Sequence, residues 1–282
     1  MNNLQEYLLN EIKEKRLDAK RGALLIREAS KNEVEEDKIA IIGIGLRMPQ
    51  ANSKEEFWDS MCNKADTIRL YPKSRHELTD AWLSPNEDKN ESYQIQGYLD
   101  QIATFDEAFF DLSPAEARKM NPLQRLFMEC SYEALEDAGY GGEQLKGTKT
   151  SVFVGSAELG QPRYQNFLAE NDGLGFIGNA NSITPSRLSY YLGLEGPSVV
   201  LDSACSSGLL GVHMASESLK RGESNLAVVC GANLNLMPLN KDRIKMLESP
   251  ESEIHPFGIQ AKGTVWGEGI GVVVLKSDVV SF

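Results

Sequence analysis

The sequence predicts an α/β protein with helices covering both faces of a sheet. Three observations carry this. Apolar runs suited to buried strands recur at residues 38–45, 198–201, 226–231 and 271–275. Segments with helical periodicity and marked starts lie between them. One of the strands runs into a small-residue turn and then a helix, a strand–turn–helix unit around a single cysteine, Cys205. Apolar strands alternating with helices are the pattern of layered α/β proteins.

In chain order, residues 1–37 stand apart. Leu4, Leu8 and Ile12 recur at helical spacing, as do Ala19, Ala23 and Ile26, and Asp18 is placed to cap the second helix. A charged stretch, residues 31–38, follows as a linker. Two readings stand for the helical pair: a hairpin lying on the main domain, or a docking or inter-domain element. An amphipathic pattern reports a buried face without saying what buries it.

The main domain, residues 38–282, opens on the strand at 38–45. Its Gly43-Ile44-Gly45 resembles the start of a dinucleotide fingerprint. The third glycine of that fingerprint would fall on Met48, with Pro49 next, so a nucleotide site is rejected. A helix is expected at 54–63. Residues 64–104 show little periodicity, and an irregular stretch of that length in a compact domain tends to be functional or interfacial.

Two helix starts follow. Ser113-Pro114-Ala115-Glu116 places Ser at the N-cap, Pro first in the helix and Glu third, and Asn121-Pro122-Leu123-Gln124 repeats the device. The second helix carries Leu123, Leu126, Phe127, Cys130, Ala134 and Ala138 on one face, and Gly139 stops it. A strand is expected at 151–155. A helix is expected at 179–192, kinked or restarted by Pro185. The Gly-rich turn at 263–269 lacks the Gly-Lys-Ser/Thr ending of a phosphate loop.

The unit around Cys205 carries the chemistry. A helix from about 206 to 221 follows the turn, so the sulfur sits at a helix N-terminus, where unpaired N–H groups favour thiolate over thiol. Ala204, Ser206 and Gly208 leave room for a substrate. On this local pattern two readings remain, a nucleophile or a buried packing cysteine, and the second is the commoner.

Composition excludes several classes. The chain has 29 basic and 41 acidic residues, a net charge of −12, which argues against general nucleic-acid binding. Its four cysteines, Cys62, Cys130, Cys205 and Cys230, show no C-x-x-C spacing, and three histidines are too few to suggest zinc. Cys130 and Cys230 read as core, and Cys62 as core or surface. The N-terminus does not read as a signal peptide, and no apolar run is long enough to span a membrane. A reducing cytoplasm is expected.

The motifs together resemble one family. They are 41–49 (Ile-Ile-Gly-Ile-Gly-Leu-Arg-Met-Pro), 105–110 (Phe-Asp-Glu-Ala-Phe-Phe), 121–125 (Asn-Pro-Leu-Gln-Arg), Gly178-Asn179, 186–190 (Ser-Arg-Leu-Ser-Tyr), Gly196-Pro197, 202–207 (Asp-Ser-Ala-Cys-Ser-Ser) and 263–269 (Gly-Thr-Val-Trp-Gly-Glu-Gly). In this order they resemble a β-ketoacyl synthase, most of all the ketosynthase domain of modular polyketide synthases. The resemblance implies the N-terminal half of a thiolase-like layered α/β fold, preceded by a short helical linker. It implies Cys205 as acyl-accepting nucleophile and no directly bound cofactor. Substrates would arrive on the phosphopantetheine of an acyl carrier protein, and neighbouring synthase modules and a homodimer are implied as partners. Residues 1–37 are similar to the segment that often precedes such a domain.

The family's two histidine motifs do not occur in this sequence, so the expectation is a domain truncated before them, with apolar surface left uncovered. His213 lies eight residues beyond Cys205, roughly 12 Å along one helix, beyond hydrogen-bond reach. His76 and His255 read as structural or surface residues. Asn121 and Leu123, Gly258 and Lys262 stand where the family more often has Asp and Gln, Asp and Asp. These departures and the missing histidines motivate a second reading, a non-catalytic assembly or docking module.

Overall fold

The computed structural model describes residues 3–31, 38–80, 93–156 and 172–278. Most of the expected charged linker, 32–37, lies outside them. The chain divides into a small unit that includes the N-terminal helices and a large unit that includes residues 39–277.

In the small unit, α1 (Asn3–Lys13) and α2 (Ala19–Lys31) form a helical hairpin. Asp18 caps α2 as expected, its Oδ1 accepting from the backbone N–H groups of Lys20 at 3.0 Å and Arg21 at 3.1 Å. A side chain at Gly22 would come within 2.4 Å of Ile12 Cδ1, so glycine lets the two helices close on each other.

The large unit runs β1 (Ile39–Arg47), α3 (Lys54–Cys62), β2 (Ile68–Arg69), α4 (Lys73–Thr79), β3 (Gln96–Gly97), α5 (Pro114–Lys119) and α6 (Pro122–Asp137). It continues through β4 (Thr150–Gly155), α7 (Gly173–Asn179), α8 (Ile183–Leu192), β5 (Ser198–Leu201), α9 (Ser207–Lys220), β6 (Leu226–Asn233) and β7 (Gly269–Ser277). Five strands form one sheet in the order β1-β7-β6-β4-β5, and β2 pairs with β3 in a small separate ribbon. β4 is parallel to β5 and β6, while β7 runs antiparallel to β6 and β1.

Successive strand residues face opposite ways, and both faces are apolar. Val152, Val154, Val228, Cys230, Val272 and Val274 join the main core with Leu123, Leu126, Phe127 and Leu188 of α6 and α8. Phe153, Ala227, Val229 and Leu275 face the other way, against Ala215 and Leu219 of α9. Each such fully buried aliphatic or aromatic side chain contributes about 1.5–3 kcal/mol.

The glycine pair rejected as a nucleotide site has a packing role. A Cβ on Gly43 would lie 2.2 Å from Ala134 O, and one on Gly45 2.2 Å from Cys130 O. The glycines let α6 lie directly on β1. This strand was expected to be buried; instead it is an edge strand with Ile41 60% exposed, and its pairing with β7 is bulged between Ile41 and Gly43.

Both proline-led helix starts are present, with a change in their third residues. Ser113 Oγ accepts from Glu116 N at 3.2 Å, and Asn121 Oδ1 accepts from Leu123 N at 2.9 Å. The side chains of Glu116 and Gln124 do not complete capping boxes. Both meet Arg187 of α8, through Nη1 to Glu116 Oε1 at 2.6 Å and Nε to Gln124 Oε1 at 2.8 Å. Gly139 (φ +82) ends α6 as expected, with Gly139 N donating to Glu136 O and Tyr140 N to Leu135 O.

The helix expected at 179–192, kinked or restarted by Pro185, is α8. It starts at Ile183 and so holds Pro185 in a first turn where no N–H is required of it; α7, which ends at Asn179, precedes it. Cys130 and Cys230 are buried, and Cys62 is exposed.

Candidate active site

β5 delivers the chain to a tight turn, Asp202 to Ser206, which starts α9. Asp202 Oδ1 accepts from Ala204 N at 3.0 Å. Buried Ser207 ties both ends together, its Oγ accepting from Ser203 N at 2.8 Å and donating to Ala204 O at 2.7 Å. Ser206 Oγ donates to Ser203 O at 2.8 Å. Ala204 holds φ +54, a left-handed conformation that costs a residue with a Cβ about 1–2 kcal/mol. Strain of this kind survives only where surrounding bonds over-determine it, as they do here.

The turn projects Cys205 outward: it is exposed, not packed. It stands two residues before the first residue of α9, at the helix N-terminus as expected. Glycines set how closely α9 approaches the sheet. A Cβ on Gly155 would lie 2.5 Å from Ser207 C, and one on Gly208 3.4 Å from Gly231 Cα.

Cys205 borders a cavity of about 730 Å³. Ala204, Ser207 and Gly208 line it beside the sulfur, with Gly155 and residues 231–233 from the strand ends. Met48, Met237, Pro238, Ile244 and Trp266 supply apolar wall, and Gln94, Gln96, Asn235 and Glu268 a polar one.

The polar wall rests on a buried ion pair. Arg75 Nη1 donates to Glu268 Oε2 at 2.6 Å, with the side chains 1% and 0% exposed. Glu268 also accepts from Leu99 N and Asn235 N, each at 2.9 Å, and Arg75 Nη2 donates to Asn235 O at 3.0 Å. Burial works against the Arg75 charge, but the Glu268 carboxylate and Tyr71 outweigh it and hold the guanidinium charged. Its guanidinium carbon lies 4.9 Å from the Tyr71 ring centre and 5.6 Å from that of Tyr98. Burial pushes the Tyr71, Tyr93 and Tyr98 phenols up, so all three stay neutral.

Of these groups, the sequence singled out Cys205 as a site residue. Arg75, Gln94 and Gln96 lie in the irregular stretch 64–104, whose only signal was its lack of periodicity. Glu268 stood in the Gly-rich turn, which was rejected as a phosphate loop and counted among the motifs, with no role given to Glu268. The three histidines do not border the cavity. His76 bonds Asp80 at 3.0 Å and contacts the rings of Tyr71 and Tyr93, and His255 bonds Glu253 at 3.1 Å. His213 is exposed on α9. Among the described residues no cluster of three His, Cys, Asp or Glu is placed to hold a metal, and no helix is long and apolar enough to cross a membrane.

Comparison with known proteins bears on what this arrangement is. The family model described as "Beta-ketoacyl synthase, N-terminal domain" matches residues 36–279. The chain is 37% identical over 256 residues to polyketide synthase ThaG of Burkholderia thailandensis, covering 89% of this chain and 4% of that protein. It is 34% identical over 261 residues to polyketide synthase PksN of Bacillus subtilis, covering 90% of this chain and 5% of that protein. Among solved structures it matches the ketosynthase from module 6 of the bacillaene synthase of Bacillus subtilis 168. There the TM-score is 0.70 at 35% identity, over 85% of this chain and 40% of that one. A ketosynthase from module 1 of the bacillaene synthase of Bacillus amyloliquefaciens gives a TM-score of 0.69 at 31% identity, covering 86% of this chain and 42% of that one. The chain thus spans a small part of the curated relatives and under half of the solved ketosynthases.

Proposed function

The chain belongs to the β-ketoacyl synthase family, and on that premise we propose that Cys205 is the acyl-accepting nucleophile of a polyketide-type ketosynthase domain. The observation that carries the proposal is the exposed Cys205 sulfur on a strained turn, at a helix N-terminus, facing a cavity of about 730 Å³. The Cys205 thiolate attacks the carbonyl carbon of an acyl thioester. The tetrahedral intermediate collapses with cleavage of the old C–S bond, and pantetheine leaves as its thiolate. The Cys205 amide N–H donates to the oxyanion. In the second half-reaction a malonyl-type extender loses carbon dioxide. Its carbanion attacks the acyl-cysteine, forming the carbon–carbon bond and releasing the Cys205 thiolate.

The acid–base groups of the condensation come from outside this chain, since none of its histidines borders the cavity. Leu209, Met214, Met246, Phe257 and Ile259 are exposed apolar side chains, which supports a further layer packing on this one in the complete domain. The partners of this reading are an acyl carrier protein, a second copy of the domain and neighbouring synthase modules, in the cytoplasm. Residues 1–37 serve as the linker or docking segment ahead of the domain at 38–282. The same lack of a cavity histidine favours one alternative, a non-catalytic module that serves assembly.

Intact mass after incubation with a short acyl thioester tests the proposal, with Cys205→Ala alongside. An acyl-sized increase that the substitution abolishes is the expected result. No increase in the native chain, alone or with the remainder of a ketosynthase domain supplied, would favour the assembly module.

A further inference from the structure

Beyond accepting an acyl group, the cavity carries a polarity of its own. Its wall holds a chain of carboxamides whose direction is set at one end. Leu239 O can only accept, so Gln94 must turn its NH2 to it, and Gln94 Nε2 donates there at 3.0 Å. Gln94 Oε1 therefore accepts from Gln96 Nε2 at 2.6 Å, and Gln96 Oε1 from Asn235 Nδ2 at 2.8 Å. The chain ends with Asn235 Oδ1, which accepts no hydrogen bond from the described residues. Asn233 is fixed the same way: its Nδ2 donates to Gly267 O at 2.9 Å, leaving Oδ1 without a donor among the described residues. Gln94 and Gln96 are buried, while Asn233 and Asn235 are part-exposed and border the cavity that holds Cys205. Gly231, which meets Gly208 of α9, precedes Asn233 by two residues, about 7 Å of extended chain.

We infer that the Cys205 cavity selects acyl chains bearing a hydroxyl group, whose O–H donates to the open carboxamide oxygens of Asn235 and Asn233. An unsubstituted chain leaves these oriented acceptors unpaired when it displaces water from them. A ketone oxygen meets them acceptor to acceptor. Discrimination of this type rests on the cost of an unsatisfied buried polar group. The inference rests on the reading of Cys205 as acyl acceptor, because it treats the cavity as the acyl site.

Calorimetric titration of the native chain with unreactive pantetheine amides tests it, since an amide cannot acylate Cys205. The probes are the hexanoyl, 3-hydroxyhexanoyl, 5-hydroxyhexanoyl and 3-oxohexanoyl amides. At least one hydroxylated probe is expected to bind about three- to tenfold more tightly than both the hexanoyl and 3-oxohexanoyl probes. Asn235→Leu and, separately, Asn233→Leu are expected to bring that ratio toward one. Equal binding of all four probes, no binding of any, or a preference unchanged in both variants would overturn the inference. Thioester labelling of Cys205 read by mass keeps the two readings apart. Labelling without a hydroxyl preference removes this inference alone. A hydroxyl preference with no labelling removes the nucleophile and leaves the binding site.

Discussion

Arg75 and Glu268, 193 positions apart in the chain, form a buried ion pair at 2.6 Å under the Cys205 cavity. The pair joins the irregular stretch before β3 to the Gly-rich turn before β7. Removing one member leaves the other charged, buried and unpaired, which costs about 3–5 kcal/mol. Glu268→Ala also strips acceptors from the N–H groups of Leu99 and Asn235. Its urea midpoint should fall by the equivalent of at least about 3 kcal/mol, and Arg75→Met should fall comparably. A loss under 1 kcal/mol for both would show that the pair does not hold this wall.

The turn before α9 makes a second prediction. Ala204→Gly relieves the left-handed strain and should leave both stability and Cys205 labelling near native. Ala204→Val puts a β-branched residue at φ +54 and should lower stability by more than about 1–2 kcal/mol. Chemical unfolding of the pair decides it, and equal stability would mean the turn relaxes out of that conformation.

Helix approach makes a third. In Gly155→Ala the new Cβ meets the backbone of Ser207 at 2.5 Å and Gly208 at 2.7 Å, so α9 must move. A loss of about 1–3 kcal/mol is expected, with slower thiol labelling of Cys205. Gly208→Ala, whose Cβ would lie 3.4 Å from Gly231 Cα, should be milder on both readouts.

The cysteines give a fourth, in two parts. In native buffer a maleimide should modify Cys62 and Cys205 and spare Cys130 and Cys230 until the chain is unfolded. Burial also pushes the Cys130 thiol up to about 12 from an ordinary value of 9.0, and Cys230 is raised the same way. The unfolded thiols then ionise first as pH rises, so the unfolded state holds fewer protons and stability falls with pH. For Cys130 the contribution is fully present below pH 9 and is lost progressively toward pH 12, by about 1.4 kcal/mol per unit. Cys130→Ala should flatten the fall between pH 9 and 10, measured by urea unfolding at each pH.

Much of the local structure was legible in the residues. The run at 226–231 is β6 within its bounds, and the Ser113-Pro114 and Asn121-Pro122 caps start α5 and α6 where expected. The Cys205 unit is a strand, turn and helix, and its cysteine is exposed. Other readings needed the third dimension. The apolar residues of β1 looked buried because composition cannot tell a central strand from an edge one. Glu116 and Gln124 occupy capping-box positions, yet Arg187 recruits both, a partner that their own helices could not reveal. Residues 64–104 showed little periodicity; among the described ones α4, β2 and β3 are short, and Arg75 and Gln96 are buried with polar partners.

The sequence by itself determined the alternation of strands and helices, the caps and stops, and the cysteine turn. Those features are set by neighbours a few residues apart, through the two- and 3.6-residue periods and the backbone limits of Gly and Pro. Tertiary structure alone decided the cavity, the Arg75–Glu268 pair and the direction of the Gln94–Gln96–Asn235 chain. Each depends on groups brought together across 139 to 193 positions or more, where no local period relates one residue to the other. Burial then fixes them, because a polar group shut away from water has to find its partner wherever the fold has placed it.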